Sequence, residues 1–359
     1  MTRLFEPMTF LHGPATPNRF MLAPMTNQQS HPDGRLSDDE FDWLTKRAQG
    51  GFGLTMTCAA HVQRLGQGFP GQLGVFSDIH LEGLTRLATA IKAAGSVAAL
   101  QLHHAGMRSP AALIGEAPLC PSDDEKTGAR AMTEAEVEQM VEDFVAAAYR
   151  AQQAGFESVE AHGAHSYLLC QFLGAQYNRR TDRYGGSLEN RARVIVDILH
   201  GVRERCGPLM QIGLRLSPER FGMDLGEVRE LAQELMTTQA IDYLDMSLWD
   251  VRKEPEQEAY KGRTLMSYFT DLDRNGVRVG VAGKITTGEE AQYCLDEGVD
   301  CVFVGKSAIL HNDFPDLVRE DEGFRSKPLP VPADYLREQG LSEKMVGYMK
   351  NFAGFLAAD

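Results

Sequence analysis

The sequence has 359 residues, 43 % of them hydrophobic and 24 % charged, the balance of a globular chain with a sizeable core. Its formal net charge of −14 works against general binding to phosphate backbones or anionic lipid. No window approaches the ~18 apolar residues that span a bilayer, and MTRLFEPMTF lacks a signal-peptide core, so a cytoplasmic protein with no nucleic-acid or membrane partner is expected.

Eight β-rich runs follow along the chain: 19–23, 54–58, 97–102, 158–161, 210–216, 243–247, 277–281 and 301–304. Helix-period stretches lie between most of them, clearest at 79–94, 134–154, 188–204, 227–238 and 288–297. Runs such as VAALQL and CVFV lack polar alternation, as strands of a parallel sheet covered on both faces do. Repeated βα units of this kind build a doubly wound sheet or a closed barrel, and nothing marks a domain boundary. Gly95, Gly155 and Gly298 each stand where a helix gives way to a strand, and read as ordinary C-caps. Residues 110–132 are too many for a simple connector and read as a loop or small hairpin over one barrel end; 251–263 is highly charged and reads as a mobile flap or a solvated loop.

The six cysteines, Cys58, Cys120, Cys170, Cys206, Cys294 and Cys301, form no CxxC pair, so free buried thiols are expected rather than a zinc or iron–sulfur site. In a β/α barrel the functional groups stand at the C-terminal ends of strands. Those ends here read APMTN, QLHHAG, EAHGAHSY, GLRLS, VAGKITTG and VGKSAI. Arg215 sits within an apolar strand; it either forms a buried ion pair or faces an electron-rich ligand at the barrel mouth. The glycine turns after the seventh and eighth strands suit a phosphate group, carried by a cofactor or by a substrate. His162 and His165, followed by Tyr167, suit two N–H donors on one substrate oxygen with a phenolic proton donor beside them. A metal pair or a structural pair competes, although the metal reading lacks a third ligand.

At these residues the chain resembles the old yellow enzyme family of FMN-dependent ene-reductases. The block HGAHSYLLCQFLGAQYNRRTDRYGGSLENRARV at 162–194 carries most of the resemblance, with APM at 23–25, QLHHAG at 101–106 and GLRLS at 213–217 in the expected order. The resemblance implies a single (β/α)8 TIM barrel over 1–359, with loop excursions over its C-terminal face and a tail from about residue 330 on the barrel or a neighbouring subunit. It implies non-covalent FMN reduced by NADPH or NADH, and a small electron-poor alkene as substrate. Ala23, Pro24, Met25 and Thr26 match the first flavin-contacting turn, with Thr26 toward the ring's O4 edge, and Ala59 matches a small residue near the ring. Gln101 would bond the pyrimidine edge and Arg215 would lie near N1 and O2. Gly283, Lys284, Gly305 and Lys306 would hold the phosphate. His162 and His165 would bind the substrate's activating group, with Tyr167 as proton donor. The run 180–191 would be structural.

The chain also departs from the pattern. Lys306 stands where the family usually has arginine, so the phosphate meets a point charge instead of a planar fork. Thr26 replaces the redox-tuning cysteine of one bacterial branch. The aromatic tail at 341–359 has no clear match, and with the family it suggests a homodimer. The chain lacks the cysteines and length of family members that add an iron–sulfur and a second nucleotide domain. A barrel lyase or isomerase, a flavin-carrying sensor, and the reverse dehydrogenation on the same scaffold stand as rival readings.

Overall fold

In the computed structural model, which describes residues 2–357, eight parallel strands close into a barrel. They are β1 (Phe20–Leu22), β2 (Leu54–His61), β3 (Val97–His103), β4 (Ser158–Gly163), β5 (Gln211–Leu216), β6 (Tyr243–Ser247), β7 (Arg278–Ala282) and β8 (Cys301–Val304). Each pairs with its neighbours in sequence, and β8 closes on β1 with Val302 opposite Phe20. All eight expected runs are present. A register irregularity between Met56 and Ala59 carries β2 on past Cys58 as far as His61.

The helices around the barrel include α1 (Asp38–Gln49), α2 (Leu81–Ala93), α3 (Glu134–Gln153), α4 (Leu188–Cys206), α5 (Leu225–Thr237), α6 (Gly288–Asp296), α7 (Lys306–Leu310) and α8 (Glu343–Met349), among other short helices and turns. Helix α1 is absent from the sequence reading because its opening residues, DDEFD, hide the apolar stripe of Trp43, Leu44 and Ala48. Its local signal was the Ser37 cap, whose side chain accepts from the Glu40 amide.

Side chains alternate across the barrel wall. Outward residues such as Val159, Ala161, Ile212, Leu214, Leu244 and Met246 join the large core beneath the helices. Inward residues form a lower apolar layer of Met21, Leu54, Met56, Val97, Ala99, Tyr243, Cys301 and Phe303. Gly213 belongs to this packing: a methyl group there would lie inside the Tyr243 ring, so the glycine is what admits the tyrosine. Above that layer the inward positions turn polar, with Gln101 on β3, Glu160 on β4, Arg215 on β5 and Asp245 on β6.

The excursion at 110–132 contains two very short strands, Leu119–Cys120 and Arg130–Ala131, that pair in parallel, so it is not a simple hairpin. Arg180 from the charged run ties it down, donating to the carbonyls of Pro121 and Met132 while paired with Asp182. Residues 251–263 are tethered rather than flap-like. Lys253 lies 2.5 Å from the buried Glu219, whose other oxygen accepts from the Glu256 amide. The C-terminal segment packs on its own barrel: Met345, Val346 and Met349 are buried, Ser342 bonds Gln29, and Val331 bridges Leu356.

Candidate active site

The C-terminal ends of β1, β5, β6, β7 and β8 surround a cavity of about 530 Å³. Ala23, Pro24, Met25, Thr26, Arg215, Gly283, Lys284, Gly305 and Lys306 all line it, so nine of the expected site residues share one concavity. The arrangement follows from strand register. Parallel strands ending at one level bring the turns after β1, β7 and β8 together, although some 280 residues of chain separate the outer two.

At one end, Gly283 packs under the Trp249–Asp250 backbone with no room for a side chain, and Gly305 faces Met25 and Ala23 at ordinary contact distance. The Lys306 side chain is exposed there. The Lys284 ammonium lies 3.1 Å from Asp250, at the rim, so its charge is already partnered within the protein. At the other end, Arg215 is almost wholly buried, with Nε 3.3 Å from Asp245 and no hydrogen bond to it. Arg215 thus has a buried ion-pair partner and also lines the cavity.

Gln101 and Ala59 lie deeper, as cross-strand neighbours, outside the cavity lining. Gln101 donates from Nε2 to Glu160 Oε1 at 2.7 Å, which fixes the orientation of its amide. Thr26 lines the cavity together with Tyr348 of the tail. With Met349, Phe352 and Phe355, Tyr348 brings the tail into the cavity wall. Sequence reasoning missed these four, and also Ser247, Trp249 and Phe303; the aromatic spacing of the tail was the only signal.

His162, His165 and Tyr167 stand beside Arg215, at the end of β4. The imidazoles lie 5.2 Å apart, and the Tyr167 ring lies 5.1 Å from His162. His162 Nδ1 accepts from the Ala164 amide, so the proton sits on Nε2. His165 Nε2 meets the Ser247 hydroxyl at 2.7 Å, and a proton donated by Ser247 leaves Nδ1–H as the free donor. Burial, with the neighbouring His165, holds His162 well below the usual histidine range. Burial, reinforced by Arg215 and Arg108, lowers His165 to about 3. Both rings are thus neutral near pH 7; His162 offers Nε2–H, and His165 offers Nδ1–H in the tautomer that accepts from Ser247.

The loop that sets this geometry is strained and pinned. His165 and Ser166 take φ of 59° and 60°, a left-handed conformation that costs roughly 1–3 kcal/mol per residue. Three bonds hold it: His165 N–H to Ser217 Oγ at 3.1 Å, Arg108 to the His165 carbonyl at 2.6 Å, and Gln171 to the Ser166 carbonyl at 2.7 Å. The Arg108 guanidinium also lies over the Tyr167 ring, 4.5 Å from its centre, and His103 packs edge-on against the same ring at 4.4 Å. Among the described residues no group of three histidine, cysteine, aspartate or glutamate side chains is placed to hold a metal ion.

Residues 3–322 match the family described as the NADH:flavin oxidoreductase / NADH oxidase family. The chain belongs to it. It is 35 % identical over 328 residues to the "Probable NADH-dependent flavin oxidoreductase YqiG" of Bacillus subtilis, covering 88 % of each chain. It is 33 % identical to the NADPH dehydrogenase of Bacillus cytotoxicus, covering 94 % of this chain and 97 % of that one. Its structure superposes on the old yellow enzyme homologue of Zymomonas mobilis with a TM-score of 0.81 at 26 % identity, covering 96 % and 99 %. The chain is therefore an old yellow enzyme family oxidoreductase, with FMN as cofactor and NADPH or NADH as reductant. The cavity fits that cofactor on its own evidence: a buried guanidinium with an unbonded Nε lines one end, and glycine turns with a lysine stand at the other.

Proposed function

We propose that this oxidoreductase reduces the C=C bond of α,β-unsaturated carbonyl or nitro compounds. The observation that carries the reading is the set of His162, His165 and Tyr167, two neutral imidazoles and a phenol with the His165 and Tyr167 rings 5.2 and 5.1 Å from His162, beside the Arg215 that lines the cavity fitting FMN. Gly283, Gly305 and Lys306 would hold the phosphate, with Lys284 contributing backbone at the rim. Ala23–Thr26 and Gln101 would flank the ring, Ala59 would pack behind Gln101, and Arg215 would face the pyrimidine edge. When bound, FMN supplies two-electron chemistry, taking a hydride from the nicotinamide and passing it to carbon.

His162 Nε2 and His165 Nδ1 hold the oxygen of the substrate's carbonyl or nitro group and polarise it, which makes the β-carbon electrophilic. Tyr167 gives its hydroxyl proton to the α-carbon. Arg108 and Ser217 keep the loop that presents these groups in its strained form. Reductant and alkene would use the same space in turn, which gives ping-pong kinetics. A ternary complex required for turnover contradicts this.

The test is a visible spectrum of the purified protein, then anaerobic NADPH, then 2-cyclohexenone. Flavin bands that bleach with NADPH and return with the enone support the reading. Bands that bleach but do not respond to enones or nitroalkenes overturn the substrate class.

A further inference from the structure

Beneath the site lies a group of charges that the proposed alkene chemistry does not use. Glu160 and Asp245 are both 0 % exposed, inside the barrel. Neither oxygen of Asp245 has a hydrogen-bond partner, and Glu160 has one free oxygen beside the one that accepts from Gln101. The groups facing them are Gln101 from β3, Arg215 from β5, Tyr243 from β6 and, near Asp245, Cys301 from β8, while β7 places only Gly280 opposite Asp245. Arg215 is the one cation facing them from these strands, since the adjacent His162 is neutral.

Two buried carboxylates thus face a single guanidinium. An unpaired buried charge is far costlier than a neutral carboxyl, so one proton resides on the pair. Burial and mutual repulsion push Glu160 up, and burial pushes Asp245 up against the pull of Arg215. A negative charge arriving on the cavity side of Arg215 would compete with Asp245 for the same guanidinium.

We propose that Glu160 and Asp245 are a proton-storing pair: they share one proton while the flavin site is oxidised and take up a second from solvent as two electrons enter. This rests on FMN lying with its pyrimidine edge at Arg215. The electrons come from the nicotinamide. The incoming proton forms one O–H bond on a carboxylate oxygen of the pair, no protein bond breaks, and reoxidation by the alkene returns the proton. Both residues act through Arg215, so they are positioning residues that set the potential of the site.

The test uses the flavin-loaded holoenzyme, with the midpoint potential followed spectroscopically between about pH 6 and pH 9. For a two-electron couple a tenfold change in equilibrium corresponds to 29.6 mV, so each proton taken up moves the midpoint by about 30 mV per pH unit. The wild type is expected to show a two-proton slope over part of this range. Asp245→Asn and Glu160→Gln are expected to fall to a one-proton slope, with Asp245→Asn also shifted to a higher potential. A one-proton slope throughout in the wild type overturns the proposal, as does a two-proton slope unchanged in both variants. Should the variants fail to fold, the reduced-minus-oxidised infrared spectrum of the wild type decides. A new protonated-carboxyl band is expected, and its absence overturns the proposal. A protein that takes up no FMN shows itself separately by lacking flavin absorbance, and removes the proposal with the reading beneath it.

Discussion

Replacing Tyr167 by phenylalanine removes one hydroxyl and little else. The ring keeps its edge contact with His103, its packing on His162 and the Arg108 guanidinium above it, because all three act on the ring. The substrate placement proposed for His162 and His165 is therefore expected to be retained, and the loss to fall on the proposed proton delivery to the α-carbon. General acid catalysis is worth roughly 10²–10⁴-fold, or about 2.7–5.4 kcal/mol of barrier at 1.36 kcal/mol per decade. Anaerobic stopped-flow on flavin absorbance separates the two half-reactions. Reoxidation by 2-cyclohexenone is expected to slow within that range, while bleaching by NADPH changes by no more than a fewfold. Equal slowing of both half-reactions, or an unaffected enone step, refutes Tyr167 as the donor.

Ser217→Ala leaves the His165 amide without its acceptor at a strained turn. A loss of about 1–3 kcal/mol corresponds to roughly 5- to 150-fold in kcat/KM for the enone, and a value within twofold of wild type contradicts the pinning role. Lys306→Arg replaces a point charge with a fork that can bind phosphate bidentately; FMN is expected to bind several-fold more tightly by fluorescence titration, and weaker binding would place Lys306 away from the phosphate. Stability should fall in mild acid. His61 and His165 are lowered to about 4 and about 3, His104 to about 3, and His103 and His162 well below the usual histidine range, all chiefly by burial. A histidine with a lowered folded pKa costs nothing above the unfolded value of about 6.5 and destabilises progressively as pH drops below it. The raised carboxyls Glu40, Glu160 and Asp245 pull the other way but are fewer. The melting temperature is expected to decline from pH 6.5 toward pH 4, and a flat profile contradicts these histidines being buried and neutral.

The barrel was legible because runs such as VAALQL and CVFV lack polar alternation and helix-period stretches separate most of the strands, and β6 and β8 match their sequence limits at both ends. The nine cavity residues were legible because they sit in short motifs at strand ends. What escaped was set by distant contacts. Nothing local to Lys284 says that Asp250 will hold its ammonium, since 34 residues separate them. The tail gave only an aromatic spacing, and its place in the cavity wall with Thr26 depends on packing between distant parts of the chain. Glu160 and Asp245 offered the same signal as Arg215, a charge within an apolar strand (SVEA, YLDMS), and reading all three together would have placed them in one layer.

The six cysteines bear on how the molecule can be handled. All six thiols are buried and unpaired, and burial raises every one, Cys120 and Cys206 to about 11 and Cys170 and Cys294 to about 12. Thiolate, the reactive form, is therefore scarce at neutral pH. A single cysteine introduced at the exposed Leu209 would be the preferred target for a fluorophore or spin label, without first deleting the native thiols. The conjugation chemistry then matters: a maleimide is itself an electron-poor alkene, which the proposed activity of the reduced enzyme would consume, whereas an iodoacetamide offers no double bond to attack.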